Sequence, residues 1–328
     1  MSFDENVLNI DCEREAGKVC AFIEEQVLDW RRDGIVIGIS GGIDSAVCSE
    51  LCVKALGKDR VLGMILPEKE SSLKSALYAE KHAKKMGIAY EIIDITPALE
   101  AFGTYARRDE VIKGIFPEYG EGCRSKITLP SGLLEKDAMS FFTLTIDDGA
   151  GNVKTARLKK DALNSIVAAT DTKQRTRMMH LYYHAERMNR VVCGTTNRSE
   201  TVQGFFVKYG DGGVDIEPIA HLYKTQVYAL AEHLGVIREI RERDPSPDTF
   251  SYEVSDEEFF FRMPYGKLDL LLYAWENQVP VDEVCAAMGL EEGQVNRAFR
   301  DFKSKHRATE HLRAMPPSLL QVSSRGME

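Results

Sequence analysis

The stretch Gly38-Ile39-Ser40-Gly41-Gly42-Ile43-Asp44-Ser45-Ala46 directly follows the apolar run Ile35-Val36-Ile37. This is the order of a buried strand, a glycine turn and a helix. Two adjacent glycines let the backbone turn tightly and bring bare N–H groups up to an anion. The hydroxyls of Ser40 and Ser45 add donors, and the helix directs its positive N-terminal end at the same spot. The stretch therefore predicts a phosphate site.

Asp44 distinguishes this loop from other phosphate loops. A carboxylate beside phosphates requires a cation such as Mg²⁺ between them. A Walker A loop would place Gly-Lys and then Ser or Thr here, and the stretch contains no lysine. The loop instead resembles the pyrophosphatase loop of enzymes that cleave ATP to AMP and pyrophosphate. An ordinary Ser-Gly-Gly turn is the alternative, and the strand before it and the helix after it argue against that interpretation.

Composition indicates a cytoplasmic enzyme. The chain has 328 residues, of which 44% are hydrophobic and 28% charged. Its net charge of −9 argues against a broad nucleic-acid-binding surface but leaves a local basic groove open. Residues 1–11 do not form a signal peptide, and no apolar run is long enough to cross a membrane. The seven cysteines are scattered without a Cys-x-x-Cys pair, as expected for reduced thiols in a cytoplasm.

The order of elements predicts an α/β fold with a doubly wound, Rossmann-like parallel sheet. Strands are expected at 35–39, 61–66, 90–95 and 191–194, and helices at 13–31, 43–56, 72–86, 97–106, 172–189 and 223–234. Strands of almost continuous apolar character that alternate with helices indicate a parallel sheet covered on both faces. Ligands bind such a sheet at the carboxyl ends of its strands. The loop at 40–45 and the segment 194–197 both follow a strand there.

A single domain over residues 1–328 is expected, interrupted by an insertion at about 107–165. Within the insertion, 141–146 and 153–158 predict a β-hairpin around a turn at 147–152. The acidic residues of that turn lack the spacing and the downstream glutamate of a calcium loop. From about residue 256 the chain is expected to be mostly helical, with a flexible tail at about 320–328.

A second set of motifs lies in the C-terminal half. It comprises Arg175-Thr176-Arg177-Met178, Gly194-Thr195-Thr196-Asn197-Arg198-Ser199-Glu200, Lys208-Tyr209-Gly210-Asp211-Gly212-Gly213, Leu222-Tyr223-Lys224-Thr225-Gln226 and Thr309-Glu310-His311. Together with the loop at 38–45, this pattern resembles the ammonia-dependent NAD synthetase family, which belongs to the N-type ATP pyrophosphatases. The likeness spans most of the chain outside the insertion. The Lys-Tyr-Gly-Asp-Gly-Gly string joined to a downstream Leu-x-Lys-x-Gln is its most specific part.

The resemblance implies a reaction and a set of site residues. ATP and Mg²⁺ would adenylate the nicotinate carboxylate of deamido-NAD, and ammonia would then displace AMP. The implied metal ligands are Asp44 and Glu200, which with Lys224 form the catalytic group. The implied ATP contacts are Gly38, Ile39, Ser40, Gly41, Gly42, Ile43, Asp44, Ser45, Thr195, Lys224 and Ser246. The implied deamido-NAD contacts are Arg175, Lys208, Asp215, His311 and Leu312. The family also implies a homodimer that builds the dinucleotide site across its interface.

Some assignments have structural alternatives, and the chain departs from the family pattern. Lys208 and Asp215 could form a solvated ion pair on a loop. Leu312 stands where the family has lysine, and Asp171 where asparagine is common. These departures leave open a related ligase that adenylates another carboxylate, such as a sugar acid. A non-catalytic nucleotide sensor is the alternative from another class, and it would be expected to lack a metal-binding carboxylate or the phosphate-binding lysine.

The nitrogen source is expected to be ammonia. Residues 1–34 precede the first predicted strand and are too few for a glutaminase domain. Free ammonia or a separate glutaminase subunit would therefore supply the nitrogen. Enzymes with the same loop that thiolate tRNA usually have paired Cys-x-x-Cys motifs and a basic surface, which this sequence lacks.

Overall fold

The computed structural model describes residues 3–135 and 141–318. Its strands are β1 Gly34–Gly38, β2 Val61–Ile65, β3 Ala89–Ile92, β4 Arg124–Thr128, β5 Thr143–Asp147, β6 Val153–Arg157 and β7 Arg190–Cys193. Four of them form a parallel sheet in the order β3-β2-β1-β7, and the other three form an antiparallel sheet in the order β4-β5-β6. The predicted parallel sheet is confirmed.

The helices surround these sheets. They are α1 Cys12–Asp29, α2 Ile43–Leu56, α3 Leu73–Met86, α4 Thr96–Phe102, α5 Thr104–Ile115, α6 Lys160–Arg187, α7 Arg198–Gln203, α8 Lys224–His233, α9 Arg238–Arg241, α10 Tyr265–Glu276, α11 Val281–Met288, α12 Glu292–Ala308 and α13 Glu310–Arg313. A short 3₁₀ turn at Lys58–Arg60 and a π-helical turn at Glu257–Phe261 complete the set. In the described ranges, no helix is both long and apolar enough to span a bilayer.

Helices cover both faces of the parallel sheet, as in a doubly wound fold, and strand β1 is therefore buried on both of its faces. Ile35 and Ile37 pack with residues of α1, α2, α3 and α8, whereas Val36 packs with residues of α4, α5 and α6. All three side chains are fully buried. A strand covered on both faces requires a continuous apolar run, and that run is the signal in the sequence.

The strand order places a topological switch point between β1 and β7. The chain runs outward through β1, β2 and β3, and then returns to pair β7 with the other side of β1. The helices after β1 and β7 therefore begin on either side of a crevice at the carboxyl ends of those strands. The loops 38–45 and 194–197 border this crevice.

Two helix predictions need correction. The expected helix 97–106 is two helices, because Gly103 has a φ of 81° that interrupts the helical backbone between α4 and α5. The expected helix 172–189 begins much earlier, at Lys160. Its first half packs on the inserted sheet through Ile166, and its second half packs on the parallel sheet through Ala185. Because the two halves bury different faces of α6, its apolar residues do not follow one helical period, and the sequence does not predict the first half.

The predicted hairpin is confirmed as β5 and β6, and a third strand, β4, was missed. The sequence of β4, Arg124-Ser125-Lys126-Ile127-Thr128, contains only one apolar residue. Its alternating residues Ser125 and Ile127 are nevertheless buried, because they face the side that packs against α6 and the 250–254 segment. A strand with so little apolar character is recognised only from its partners.

The C-terminal part is helical, as expected, and has its own core. Buried residues of α10, α11 and α12 pack together, among them Leu271, Val284 and Phe302. The predicted flexible tail at about 320–328 lies outside the described residues.

Candidate active site

The loop between β1 and α2 is shaped by its own hydroxyls. The Oγ atoms of Ser40 and Ser45 lie 3.1 Å apart. Ser45 Oγ donates to the carbonyl of Gly42 at 2.9 Å, and the Gly42 N–H donates to Ser40 Oγ at 3.2 Å. Within the described part of the chain, no side-chain cap is present at the start of α2. The first N–H groups of this helix are therefore left for an anion in the crevice.

Gly41 allows the loop to pass close to α3. Its φ is 79°, and a Cβ atom there would lie 2.3 Å from the carbonyl oxygen of Ser75. Only glycine combines this backbone conformation with such a close approach. The glycine pair in the sequence is thus required by both conformation and packing.

We expect Gly41→Ala to weaken ATP binding by about tenfold or more, because the backbone strain and the clash displace the loop. Gly57→Ala is the matched control. Gly57 has the same φ of 79°, but a Cβ added there would meet no atom within 4 Å, and it lies at the far end of α2. Nucleotide titration of both variants measures the effect. Equal ATP affinities in the two variants would contradict the role assigned to the close approach.

Asp44, Glu200 and Lys224 converge on the crevice from three different helices. Lys224 is only 3% exposed. Its Nζ lies 2.5 Å from Asp44 Oδ2 and 3.6 Å from Glu200 Oε1. The side-chain amide of Asn197 donates to Asp44 Oδ1 at 2.9 Å. The structure therefore brings together the three residues predicted to be catalytic.

Two residues for which the sequence predicted no role, Asn197 and Asp269, hold this cluster in place. Asn197 caps α7, since its Oδ1 accepts from the Glu200 N–H at 3.1 Å while Glu200 Oε2 accepts from the Asn197 N–H at 3.2 Å. The buried Asp269 joins α7 to α8. It accepts from Ser199 Oγ at 2.6 Å and from the Thr225 N–H at 2.7 Å. A capping pattern could have identified Asn197, but no sequence signal identifies Asp269.

The charges of this cluster depend on one another. Burial disfavours the cation of Lys224, but Asp44 and Glu200 outweigh it and raise the lysine pKa. Burial and Asp44 raise the pKa of Glu200 well above its usual value, and Lys224 lowers it. Lys224 therefore stays protonated, whereas the ionised form of Glu200 would be stabilised by a further cation nearby.

The donor set fits a magnesium ion. Asp44 and Glu200 offer carboxylate oxygens, which are hard ligands, and the Lys224 ammonium shows that a cation is favoured between them. Over the ranges 3–135 and 141–318, no three His, Cys, Asp or Glu side chains converge closely enough to hold a metal by themselves. Two carboxylates completed by water and phosphate oxygens are the usual arrangement for Mg²⁺.

The cluster opens into a cavity of about 620 Å³, which is large enough for a nucleotide. Predicted ATP contacts that line it are Gly38, Ile39, Ser40, Gly42, Ile43, Asp44, Ser45, Thr195, Lys224 and Ser246. Gly41 is not part of the lining, because it faces Ser75. Apart from Gly41, the predicted ATP residues thus line the same cavity.

Three residues predicted to contact the second substrate also line the cavity: Arg175, Lys208 and Leu312. Lys208 Nζ donates to the backbone carbonyl of His311 at 2.6 Å, and Arg175 Nε donates to the carbonyl of Lys208 at 3.3 Å. His311 is exposed and outside the lining. Lys208 therefore ties the C-terminal segment to the cavity wall.

Asp215 lies outside the cavity lining and has structural partners. Its Oδ1 accepts from the Tyr182 hydroxyl at 3.0 Å, and its Oδ2 accepts from the Val192 N–H at 2.8 Å. It is therefore not paired with Lys208. Its assignment to deamido-NAD stays a prediction.

A buried ionic network that sequence analysis missed supports the opposite wall. Lys173 is fully buried, and its Nζ donates to Glu68 at 2.8 Å, to Glu70 at 2.7 Å and to the Thr249 carbonyl at 2.8 Å. Arg108 forms a bidentate ion pair with Glu70, in which Nη1 donates to Oε2 at 2.5 Å and Nη2 donates to Oε1 at 2.7 Å. The network joins α5, α6, the segment after β2 and residue 249, so that the segment containing Ser246 is held at the cavity.

Because this network depends on an ionised Glu70, we expect the free energy of unfolding to fall in acid. Burial would raise the pKa of Glu70, but Arg108 and Lys173 outweigh it and lower the pKa from 4.5 to about 2. Because the folded-state pKa is the lower one, the stabilisation is present above pH 4.5 and is lost as the pH falls towards 2. The shift corresponds to about 3 kcal/mol.

We therefore expect Glu70→Gln to flatten the pH dependence of the free energy of unfolding between pH 5 and 2.5. Urea titrations across this range measure it. Glu110→Gln, an exposed position on α5, is the control and should keep the wild-type pH dependence. Parallel curves for wild type and Glu70→Gln would show that the network does not contribute in this way.

The inserted sheet supports another part of the cavity wall. The Tyr252 N–H donates to the Ser125 carbonyl at 3.1 Å, and the Leu129 N–H donates to the Glu258 carbonyl at 2.9 Å. Phe250 and Val254 are buried in the same cluster as residues of β5. The insertion therefore holds the 250–258 segment at the cavity, where Asp256 is part of the lining.

The parallel sheet and the pyrophosphatase-type loop at 38–45 define a Rossmann-like nucleotide-binding protein of the ATP pyrophosphatase (PP-loop) type. Comparison with known proteins narrows this class. Residues 15–118 and 131–316 match the model of the NAD synthase family, and the chain belongs to that family.

Relatives and solved structures agree with this assignment. A Mesorhizobium japonicum protein named NH(3)-dependent NAD(+) synthetase is 46% identical over 94% of this chain and 97% of its own length. A Rhizobium meliloti protein of the same name is 43% identical over 97% and 95%. The NH3-dependent NAD synthetase structure from Campylobacter jejuni has a TM-score of 0.63 at 23% identity, covering 95% of this chain and 100% of that chain. The NMN synthetase structure from Francisella tularensis has a TM-score of 0.66 at 23% identity, covering 94% and 99%. At this identity the structures establish the fold.

Proposed function

We propose that this protein amidates the nicotinate carboxylate of deamido-NAD with ammonia, using ATP and Mg²⁺. The carboxylate attacks the α-phosphorus and pyrophosphate leaves. Ammonia then attacks the acyl carbon, AMP leaves and a proton is released. The convergence of Asp44, Glu200 and Lys224 beside the hydroxyl-lined loop is the observation that carries the proposal. The relatives named NH(3)-dependent NAD(+) synthetase support the formation of NAD from ammonia.

The loop is suited to hold the leaving pyrophosphate. The open N–H groups at the start of α2 and the hydroxyls of Ser40 and Ser45 would bind its oxygens. Because charge accumulates on these oxygens as the bond breaks, fixed donors there stabilise the transition state more than the ground state. The neighbouring segment with Thr195 would bind another part of the nucleotide.

Lys224, Asp44 and Glu200 would together compensate the negative charge of the ATP phosphates. The Lys224 ammonium would compensate phosphate charge as the nucleotide enters, exchanging its contact with Asp44 for phosphate oxygens. Magnesium held by Asp44 and Glu200 would neutralise the phosphates. Arg175 and Arg177 line the same cavity and would offer positive charge to the acceptor substrate.

We also propose a homodimer that uses ammonia supplied freely or by a separate glutaminase subunit. The exposed apolar side chains Met179 and Tyr183 on α6, and Ile92 on the edge strand β3, support a protein interface. Sedimentation of the purified protein tests the dimer. A monomer throughout the micromolar range would contradict it.

The function is tested by following pyrophosphate and NAD in one reaction with ATP, Mg²⁺ and ammonium. We expect both products to rise together, and only when deamido-NAD is present. A panel of other acids, including nicotinate mononucleotide and sugar acids, tests the acceptor. Product formation with one of these acids and not with deamido-NAD would identify a related ligase. Nucleotide binding without turnover on any acid would indicate a sensor.

A further inference from the structure

A third carboxylate, Asp256, lies in the cavity wall beside the cluster of Asp44, Glu200 and Lys224. Its side chain is 5% exposed. Its Oδ2 accepts from the Tyr265 hydroxyl at 2.9 Å. Its Oδ1 is buried and has no hydrogen-bond partner within residues 3–135 and 141–318. A buried carboxylate oxygen without a partner is costly, and this one needs a donor that enters the cavity.

Asp256 adds a third negative charge to the cluster of Asp44, Glu200 and Lys224, and a cation would balance it. Lys224 supplies positive charge to these carboxylates, with its Nζ 2.5 Å from Asp44 Oδ2 and 3.6 Å from Glu200 Oε1. Among Asp44, Glu200, Asp256 and Lys224, three carboxylates and one ammonium leave two negative charges when all four groups are ionised. One divalent cation balances them, whereas an ammonium ion would balance only half.

The backbone holds Asp256 in this position independently of any ligand. Its N–H donates to the carbonyl of Pro245 at 3.0 Å, and the Leu129 N–H, just after strand β4, holds the next turn through the Glu258 carbonyl. The unpartnered oxygen is therefore part of a preorganised wall rather than of a loose side chain.

We propose that Asp256 is an outer ligand of the magnesium site, accepting a hydrogen bond from a metal-bound water through Oδ1. The inference rests on the proposed magnesium site at Asp44 and Glu200. Mg²⁺ usually keeps several of its waters, and those waters are strong donors. Asp256 does not converge with Asp44 and Glu200 into a three-carboxylate metal site in the described part of the chain. A water-mediated contact satisfies both the unpartnered oxygen and the charge balance.

The test compares Mg²⁺ binding to wild type and Asp256→Asn by calorimetry, without nucleotide and with a non-hydrolysable ATP analogue. We expect about tenfold weaker Mg²⁺ binding in the variant. Without magnesium, the melting temperature should be equal or higher, because a like charge has been removed while asparagine can still accept from Tyr265. Asp256→Ser is the second variant if asparagine prevents folding. Glu253→Gln, an exposed carboxylate on the same segment, is the matched control and should bind Mg²⁺ as wild type does.

Three results would overturn the inference. Unchanged Mg²⁺ affinity with a lower melting temperature would make Asp256 merely structural. Unchanged Mg²⁺ affinity with a raised KM for ammonium would make it part of a nitrogen-donor site. Unchanged behaviour in every measurement would remove it from the site. Glu200→Gln distinguishes these results from failure of the proposed metal site, since that variant should lose the Mg²⁺ response even if Asp256 has no role.

Discussion

Asp44→Asn is expected to release pyrophosphate about 10³-fold more slowly than wild type while keeping the fold. The substitution preserves size, and the asparagine oxygen can still accept from Lys224 or Asn197, the two present partners of Asp44. What it removes is the negative charge that would hold magnesium at the phosphates. Because the cation acts mainly as charge builds up on the leaving group, we expect the loss mostly in kcat.

Asp282→Asn is the matched control for this variant. Asp282 is also the second residue of its helix, α11, but it is exposed and lies outside the cavity lining. Pyrophosphate release by the control should equal that of wild type. Near-normal turnover by Asp44→Asn, with an unchanged Mg²⁺ requirement, would remove Asp44 from the proposed metal site.

Lys224→Met is expected to have an effect of similar size, about 10³-fold in kcat, for a different reason. Methionine retains much of the apolar stem but leaves Asp44 and Glu200 facing each other without the ammonium. Removal of one partner from a buried ion pair typically costs about 3–5 kcal/mol. The variant should therefore melt at a lower temperature, and Mg²⁺ should restore part of the loss by replacing the missing positive charge.

The control for this variant is Lys160→Met. Lys160 is the first residue of α6, as Lys224 is of α8, but it is exposed. The response of its melting temperature to Mg²⁺ should equal that of wild type. If Lys224→Met were as active and as stable as wild type, the cluster would not supply the electrostatic stabilisation assigned to it.

The parallel sheet was predictable because its central strands are buried on both faces. The run Ile35-Val36-Ile37 indicates a buried strand because two glycines and a helix follow it. Strand β4 was not predictable, since Ser125 and Ile127 become buried only against the rest of the inserted sheet and its neighbours. The length of α6 was missed for a related reason, because its two halves bury different faces. In both cases the partner surface, rather than the local sequence, determines the element.

For the site, the sequence predicted residues that carry motifs and missed residues that support them. Asp44, Glu200 and Lys224 lie within recognisable strings, and the structure brings them together. Asp269, Lys173 and Asp256 act through contacts across the chain, so no local spacing reveals them. His311 and Asp215 lie away from the cavity lining, and their assigned contacts stay predictions.

The central claim is that the loop directs a carboxylate to the α-phosphate of ATP. Deamido-NAD labelled with ¹⁸O in its nicotinate carboxylate tests it directly, with mass analysis of the AMP and pyrophosphate formed in the presence of ammonium. Adenylation of the carboxylate predicts that one labelled oxygen appears in AMP and none in pyrophosphate. Unlabelled AMP with labelled pyrophosphate, or ADP with labelled phosphate, would mean that the carboxylate attacks the β- or the γ-phosphorus, and would contradict the mechanism.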